Sequence, residues 1–319
     1  MLFAYRHEES RLVRQEPGAA LADAVWIDLY RPMPAQVAAM QDFGIEVPTL
    51  ADMEEIEVSN RLYRHNGTDY MTVVLPGLSE TKEPLSGPVT FILTPDRLFT
   101  VRHHDPRPFT TYPERADKVG PGCADAHRVF VSLMEEIIGR LADLLEGSGR
   151  ALDALAQQVY SEAGTTDSAE LQAALRRTGR EGEQIARVRL SLLTIERAVS
   201  FFGQGLVDRQ AGNALKGAVK GLLRDLHALE VHADHLSTRV ALASDSTMGM
   251  INLSQNQTIK IVSVMAVVFL PPTVIASAYG MNFEVMPELE WVWGYPMALG
   301  LMLASAVGTY MFFKWRRWL

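Results

Sequence analysis

The sequence predicts an α+β membrane protein: an N-terminal α/β domain, then a long helical stalk, then two transmembrane helices at the C-terminal end. Three observations lead to this fold class. Residues 1–125 mix short β-branched runs with short helical patterns, residues 126–260 are helical throughout, and two uncharged apolar runs of membrane length come last. We therefore expect two regions that meet different solvents.

Charge separates the two regions. The chain of 319 residues has a formal net charge of −8. Residues 256–319 contribute +1, so residues 1–255 carry −9. An acidic balance argues against nucleic acid as a partner. The single cysteine, Cys123, excludes an internal disulfide and a cysteine zinc site, and the start "MLFAYRHEES" shows no secretory signal.

The N-terminal region, residues 1–125, is predicted to hold a sheet and two short helices. Strand-like runs occur at 24–30, 70–75, 89–94 and 98–103. Asn66-Gly67 and the turn at 95–97 predict hairpins, because these residues tolerate turn conformations. Helices are expected from Pro34 to Phe43 and from Leu50 to Val58.

The helical region, residues 126–260, is predicted to contain long helices that lead into the membrane. Gly147 and Gly149 are expected interruptions of the first helix, and "GQG" at 203–205 marks a break. Residues 164–170 are predicted to be a loop with a helix start near Asp167 or Ser168. From about Asp208 the pattern stays helical. The stalk then runs unbroken into the first span, or consists of two helices joined near 244–247.

The two apolar runs are predicted to be transmembrane helices, at 261–281 and 291–313. Their 21 and 23 uncharged residues match a bilayer core of ~30 Å. A pair of buried core helices is the alternative. Aromatic residues favour the membrane, because they flank both ends of the second run as interfacial belts do: Trp291, Trp293, Tyr295, Tyr310, Trp315 and Trp318.

Basic residues predict the orientation. Lys260 precedes the first span, and the tail 314–319 contains Lys314, Arg316 and Arg317. The loop 282–290 between the spans contains no basic residue. The positive-inside rule therefore places both termini in the cytoplasm and the loop outside. The expected location of the protein is the inner (plasma) membrane of the cell.

One face of the first span is small and polar. Steps of three and four residues back from Gly280 reach Ser277, Thr273, Leu270, Ala266, Ser263, Ile259 and Asn256. This set, with Gly280, is called the small-polar stripe below. It indicates either close helix packing or the lining of a water-filled path in which Leu270 and Ile259 form constrictions. The second alternative requires several copies of the chain.

Two features lie toward the outer end of this span. Pro271-Pro272 predicts a kink, or carbonyl groups freed toward a pore. At the helix end, Gly280 leaves carbonyls open and Asn282 adds a neutral amide oxygen, while Glu284 and Glu288 raise the local cation concentration. Such oxygens suit the water shell of Mg²⁺, which dehydrates reluctantly. An ordinary helix end remains the alternative.

The segment "YGMNF" followed by "MPEL" and two terminal spans resembles the CorA family of magnesium channels. The resemblance implies a homopentameric funnel that passes Mg²⁺ down the membrane potential, with the first span lining the pore. It assigns Gly280, Met281 and Asn282 to the selectivity filter and places Asn256, Ile259, Leu270 and Thr273 on pore-lining positions. The implied partners are other copies of the chain, the lipid bilayer and divalent cations, without an organic cofactor.

The resemblance also implies closure when cytosolic Mg²⁺ fills acidic sites between subunits. The candidates are Asp225 on the stalk and an acidic run near residue 55: Asp52, Glu54, Glu55 and Glu57. A solvated acidic face is the alternative for that run. Passage of Co²⁺ or Ni²⁺ is also open, because selectivity is a difference of affinities.

Three rival functions stay open at this point. They are a zinc-selective relative, a membrane-anchored coiled-coil adaptor that conducts nothing, and an enzyme that uses His103-His104-Asp105 as metal ligands. Adjacent residues on a strand point to opposite faces, so we expect no shared metal at 103–105 and no enzyme.

Overall fold

We analysed a computed structural model that describes residues 1–16, 21–55, 57, 61–160, 168–208, 212–281, 286–287 and 291–316. The chain divides into two compact units. The first unit contains Met1–Gln157 and Arg177–Ala243, and the second contains Gln158–Arg176 and Ser244–Leu319. The strands are β1 (Leu2–Glu8), β2 (Arg11–Arg14), β3 (Trp26–Tyr30), β4 (Leu62–His65), β5 (Thr68–Leu78), β6 (Pro84–Leu93) and β7 (Leu98–Arg102). The helices are α1 (Pro34–Gln41), α2 (Leu50–Glu54), α3 (Pro108–Arg115), α4 (Ala126–Tyr160), α5 (Ser168–Asp208), α6 (Asn213–Tyr279) and α7 (Gly294–Trp315).

The first unit is built on a mixed sheet of order β2-β1-β3-β7-β6-β5-β4. β3 and β7 pair in parallel, and the other neighbours are antiparallel. Both predicted hairpins are confirmed, the β4–β5 turn with positive φ at Asn66 and Gly67. The β1–β2 hairpin was not predicted, because its turn residues Glu9 and Ser10 take positive φ without a glycine or asparagine to signal it.

Helices cover both faces of the sheet. On one face, side chains from α1 and α2 join strand residues in a buried apolar cluster that includes Met40, Met53 and Ile27. On the other face an aromatic series links the sheet to α3, α4 and α5. Phe91 lies 5.7 Å from Phe130, which lies 4.8 Å from Phe202. This three-layer arrangement confirms the predicted α/β region.

Two helix predictions in the first unit are wrong in the same way. α4 continues through Gly147 and Gly149, and α5 continues through 203–205 to Asp208. Crowding explains one of these glycines, because a Cβ on Gly203 would lie 3.2 Å from Cγ1 of Val219. This glycine permits close helix contact and does not end the helix. The predicted helix from Leu50 ends at Glu54, and residues 56 and 58–60 lie outside the described chain.

The second unit contains the apolar part of α6, from Ser244, and the whole of α7. α6 is unbroken from Asn213 to Tyr279, so the alternative of two helices joined near 244–247 is wrong. α7 begins at Gly294, three residues after the predicted start, because a turn occupies residues 291–293. The domain boundaries drawn at residues 125 and 260 stay predictions.

Candidate ion pathway along the first span

The small-polar stripe is uncovered along its whole length. All eight members are exposed, with Leu270 at 64% and Ile259 at 63%. A helix that used this stripe to pack inside its own chain would bury it. The packing alternative therefore applies only to contacts with another chain.

The opposite side of α6 is the side that the chain itself covers. Val264 is 5% exposed, and the half-buried positions that follow it are Val268, Pro271, Pro272, Ile275 and Tyr279. At 100° per residue, the mean direction of this set lies about 170° from that of the small-polar stripe. Four aliphatic residues share this direction, Ile261, Val264, Val268 and Ile275, although Ile261 is 56% exposed. One chain thus fills one side of the helix and leaves the other side for a partner or for solvent.

The proline pair lies inside the helix and does not end it. Pro271 and Pro272 have no amide N–H, so the carbonyls of Val267 and Val268 lose their usual helical donors. One turn away, the Thr273 hydroxyl donates to the carbonyl of Phe269 at 2.7 Å. The backbone at this level of the span therefore offers acceptor oxygens that an uninterrupted helix would occupy.

The end of α6 keeps its carbonyls close to Gly280. The Gly280 amide donates to the carbonyl of Ala276 at 2.9 Å, and the Met281 amide donates to Ala278 at 3.4 Å. A Cβ on Gly280 would lie 3.1 Å from the Ala276 oxygen. The φ of Gly280 is not positive, so the backbone conformation does not require glycine here. The absence of a Cβ instead keeps the Ala276 oxygen uncrowded. Met281 follows with half of its surface exposed.

The remaining predicted residues of the outer mouth lie outside the described chain. They are Asn282, Glu284 and Glu288. Their roles as filter and as cation attractors stay predictions.

Both α6 and α7 contain a window that is long and apolar enough to cross a membrane. Only 6% of each window is buried. On α7 the aromatic residues at both ends are exposed, with Tyr295 at 76% and Trp315 at 78%. Large exposed apolar side chains flanked by such rings are typical of lipid-facing helices.

In the acidic run near residue 55, one residue, Asp52, has a structural role. The Asp52 carboxylate accepts from the Thr49 hydroxyl at 2.6 Å and from the Thr49 amide at 2.9 Å, which caps α2. These hydrogen bonds lower the pKa of Asp52. Glu54 ends the helix, Glu55 is its C-cap, and Glu57 is exposed.

The predicted regulatory residues form no metal site in one chain. Asp225 is 63% exposed and lies 4.0 Å from Nε of Arg224. Among the described residues, no group of three or more His, Cys, Asp and Glu side chains is placed to hold a metal ion. The regulatory role of these residues stays a prediction.

Of the two histidines at 103–104, the second, His104, has a structural role. The His104 ring nitrogen Nε2 lies 2.9 Å from the carbonyl of Leu75, and burial lowers the pKa of His104 to about 4. Asp105 accepts from Arg102 at 2.8 Å. These bonds occupy His104 and Asp105 with protein partners.

Sequence reasoning missed the buried ion pair beside these residues. Arg102 donates to the Asp28 carboxylate at 2.9 Å, and the side chains are 5% and 2% exposed. The Thr100 hydroxyl also donates to Asp28, at 2.7 Å. In the sequence, the arginine of the run "LFTVRH" has the pattern of an ordinary strand end, which gives no sign of a buried partner. The parallel pairing of β3 with β7 is what brings Asp28 close to Arg102.

Comparison with known proteins gives a consistent result. The family model described as "CorA-like Mg2+ transporter protein" matches residues 22–316. The chain is 35% identical to the "Magnesium transport protein CorA" of Pasteurella multocida and 36% identical to that of Salmonella typhimurium, over the full length of each protein. The protein of the same name from Escherichia coli is also 36% identical over its full length.

Solved structures agree on the fold. The complete structure of the CorA magnesium transporter from Methanocaldococcus jannaschii superimposes with a TM-score of 0.67 at 17% identity, covering 100% of this chain and 99% of that one. The full-length CmaX protein superimposes with a TM-score of 0.64 at 17% identity, covering 100% and 98%.

Proposed function

The chain belongs to the CorA-like Mg²⁺ transporter family, and on this premise we propose that it is a channel for passive Mg²⁺ uptake, formed by a homopentamer in the inner membrane. The membrane potential supplies the driving force, ~2.3 kcal/mol per charge for each 100 mV. An ion with two charges gains twice that amount. The transport step requires no covalent chemistry, so the protein is proposed to have no enzymatic role.

The observation that most supports a pore is the uncovered small-polar stripe opposite the covered side of α6. A helix surrounded by lipid gains nothing from exposed serine, threonine and asparagine side chains. In a ring of subunits, this face turns inward and its hydroxyl and amide groups meet water. Leu270 and Ile259 then form apolar constrictions that close by dewetting.

At the outer mouth we propose that Gly280, Met281 and Asn282 select the hydrated ion. Mg²⁺ holds its water shell tightly, so neutral oxygens that accept hydrogen bonds from that shell recognise the ion without removing the water. The exposed end of α6 at Gly280, where a Cβ would lie 3.1 Å from the Ala276 oxygen, supports this role. Glu284 and Glu288 are proposed to concentrate cations outside the filter.

Cytosolic Mg²⁺ is proposed to close the channel by binding between subunits, with Asp225 and the run Asp52, Glu54, Glu55 and Glu57 as candidate ligands. The absence of a complete cluster among the described residues of one chain agrees with sites shared between subunits. Asp52 is the weakest candidate, because capping of α2 already uses its carboxylate. Co²⁺ and Ni²⁺ are proposed as minor cargo.

Ion flux into proteoliposomes tests the proposal. We expect Mg²⁺ uptake that scales with the imposed potential and that Asn282→Ala reduces at least tenfold. Asn213→Ala, at the first residue of the same helix, is the matched control and should leave uptake unchanged. Equal flux for wild type and an assembled Asn282→Ala variant would overturn the filter assignment, and absence of flux for every divalent ion would overturn the channel.

A further inference from the structure

A cavity of about 580 Å³ opens in the first unit beside the N-terminal hairpin. Its floor is formed by β1 and β2, and its wall is formed by α3 with the residues that follow it. Small-molecule sites in proteins have volumes of roughly 300–1,000 Å³. Among the described residues, none from α6 or α7 lines the cavity, so the candidate ion pathway does not account for it.

The floor of the cavity is aromatic and largely buried. Tyr5 stacks on Trp26 with ring centroids 4.6 Å apart and is almost fully buried. Phe109 is buried against the same tryptophan. Phe3 is half-buried, and the guanidinium carbon of Arg14 lies 4.4 Å from its ring centroid. The Phe3–Arg14 pair therefore presents a flat surface on which a planar group can stack.

The cavity contains more positive than negative side chains. Four basic residues line it against two acidic ones: Arg11, Arg14, Arg102, Lys118, Glu114 and Asp117. Two of the basic residues already have carboxylate partners. Arg102 pairs with both Asp28 and Asp105, so that group carries one negative charge, and Arg11 lies 3.6 Å from Asp117.

Arg14 and Lys118 are the two cations left over. Within the described part of the chain, neither has a carboxylate at ion-pair distance. Glu114 offsets one of these charges, so these three side chains together leave one positive charge for an anion between Arg14 and Lys118.

We propose that this cavity binds a nucleoside phosphate. The phosphate group lies between Arg14 and Lys118, and the base stacks on the Phe3–Arg14 pair. Guanidinium groups both stack on rings and bind phosphate, and Lys118 adds a point charge at the other side. The proposal does not depend on ion transport, so its failure would leave the proposed channel untouched.

Binding to the full-length chain in detergent tests the assignment. A fluorescent ADP is displaced by unlabelled ADP or by pyrophosphate, with EDTA present to remove divalent ions. We expect ADP to bind, and pyrophosphate to bind about tenfold more weakly because it has no base to stack. Phe3→Leu should weaken ADP binding and leave pyrophosphate binding unchanged.

The charge assignment has its own pair of variants. Arg14→Gln with Lys118→Gln should weaken ADP binding about tenfold or more, since both charge-assisted contacts are lost. Arg150→Gln with Lys220→Gln removes the same charge elsewhere in the first unit and is the matched control. An unchanged thermal unfolding midpoint verifies that each variant is folded. Absence of ADP binding by the wild type, equal affinity for ADP and pyrophosphate, or unchanged affinity in the Arg14–Lys118 variant would each overturn the proposal.

Discussion

The sheet region and the two C-terminal helices place the same kinds of side chain in opposite environments. In the first unit Trp26, Ile27 and Val89 are fully buried. In the second unit Phe269 and Leu303 expose 66% and 68% of their surface. Water makes the first arrangement favourable and would penalise the second, whereas lipid removes that penalty. The difference teaches that exposed apolar surface in this chain marks a change of solvent from water to lipid. On a helix that lies in lipid, it is the exposed polar side chains that require a functional explanation.

Polar groups follow the same contrast. In the first unit the buried pair Asp28–Arg102 is satisfied inside the chain. In the second unit the polar side chains of the small-polar stripe are uncovered, and only short bonds such as that of Thr273 to Phe269 satisfy them locally. The buried pair of the first unit completes its contacts within the chain, and the small-polar stripe requires water or further subunits.

The largest expected effect breaks the internal pairing of the first unit. Arg102→Met leaves the buried Asp28 carboxylate without its cation, which should destabilise the protein by about 3–5 kcal/mol. Unfolding followed by tryptophan fluorescence measures this change, because Trp26 lies in the same face of the sheet. The double variant with Asp28→Asn should recover part of the loss. A single variant as stable as the wild type would show that the pair adds nothing.

A charge on the lipid-facing surface tests the change of solvent directly. Leu303→Arg places a guanidinium in the middle of α7, at a cost of about 3 kcal/mol in a membrane helix. After extraction of the membranes, we expect a smaller fraction of the Leu303→Arg variant than of the wild type to remain in the membrane. Leu78→Arg, at a residue 43% exposed in the first unit, should be tolerated because water surrounds it. Equal tolerance of both variants would contradict a lipid environment for α7.

Buried His104 predicts a dependence of stability on pH in the first unit. Its pKa is lowered from 6.5 to about 4 by burial, so the unfolded chain takes up a proton in this window and the folded chain does not. Stability should therefore fall as pH falls from 6.5 toward 4, by roughly 3 kcal/mol. Unfolding free energies for the wild type and His104→Gln measure the difference. A wild-type slope that survives in the variant would assign it to other groups.

The smallest expected effect concerns a pair that water already solvates. Arg150 and Glu146 lie 2.6 Å apart on α4 with side chains 67% and 69% exposed. Arg150→Ala should cost less than ~0.5 kcal/mol, since exposed pairs at this spacing contribute little. The same unfolding assay applies. A loss as large as that of Arg102→Met would remove the distinction between buried and exposed charges in this unit.

Local patterns predicted much of this fold. Asn66-Gly67 signalled a hairpin because its conformation depends on two adjacent residues, and 261–281 and 291–313 signalled spans because their composition is uniform. The glycines at 147, 149 and 203 misled, since a sequence does not say whether a glycine ends a helix or admits a neighbour such as Val219. The β1–β2 hairpin gave no signal, because Glu9 and Ser10 are unusual turn residues.

The sequence by itself determined the family, the two apolar spans and the small-polar stripe, because each depends on residue type and spacing along one chain. Only the tertiary structure decided which side of α6 the chain covers, that Asp28 meets Arg102, and that Arg14 and Lys118 share a cavity with Phe3. These facts depend on contacts between distant segments. Such contacts arise when strands pair and helices pack, and no local pattern of residues specifies them.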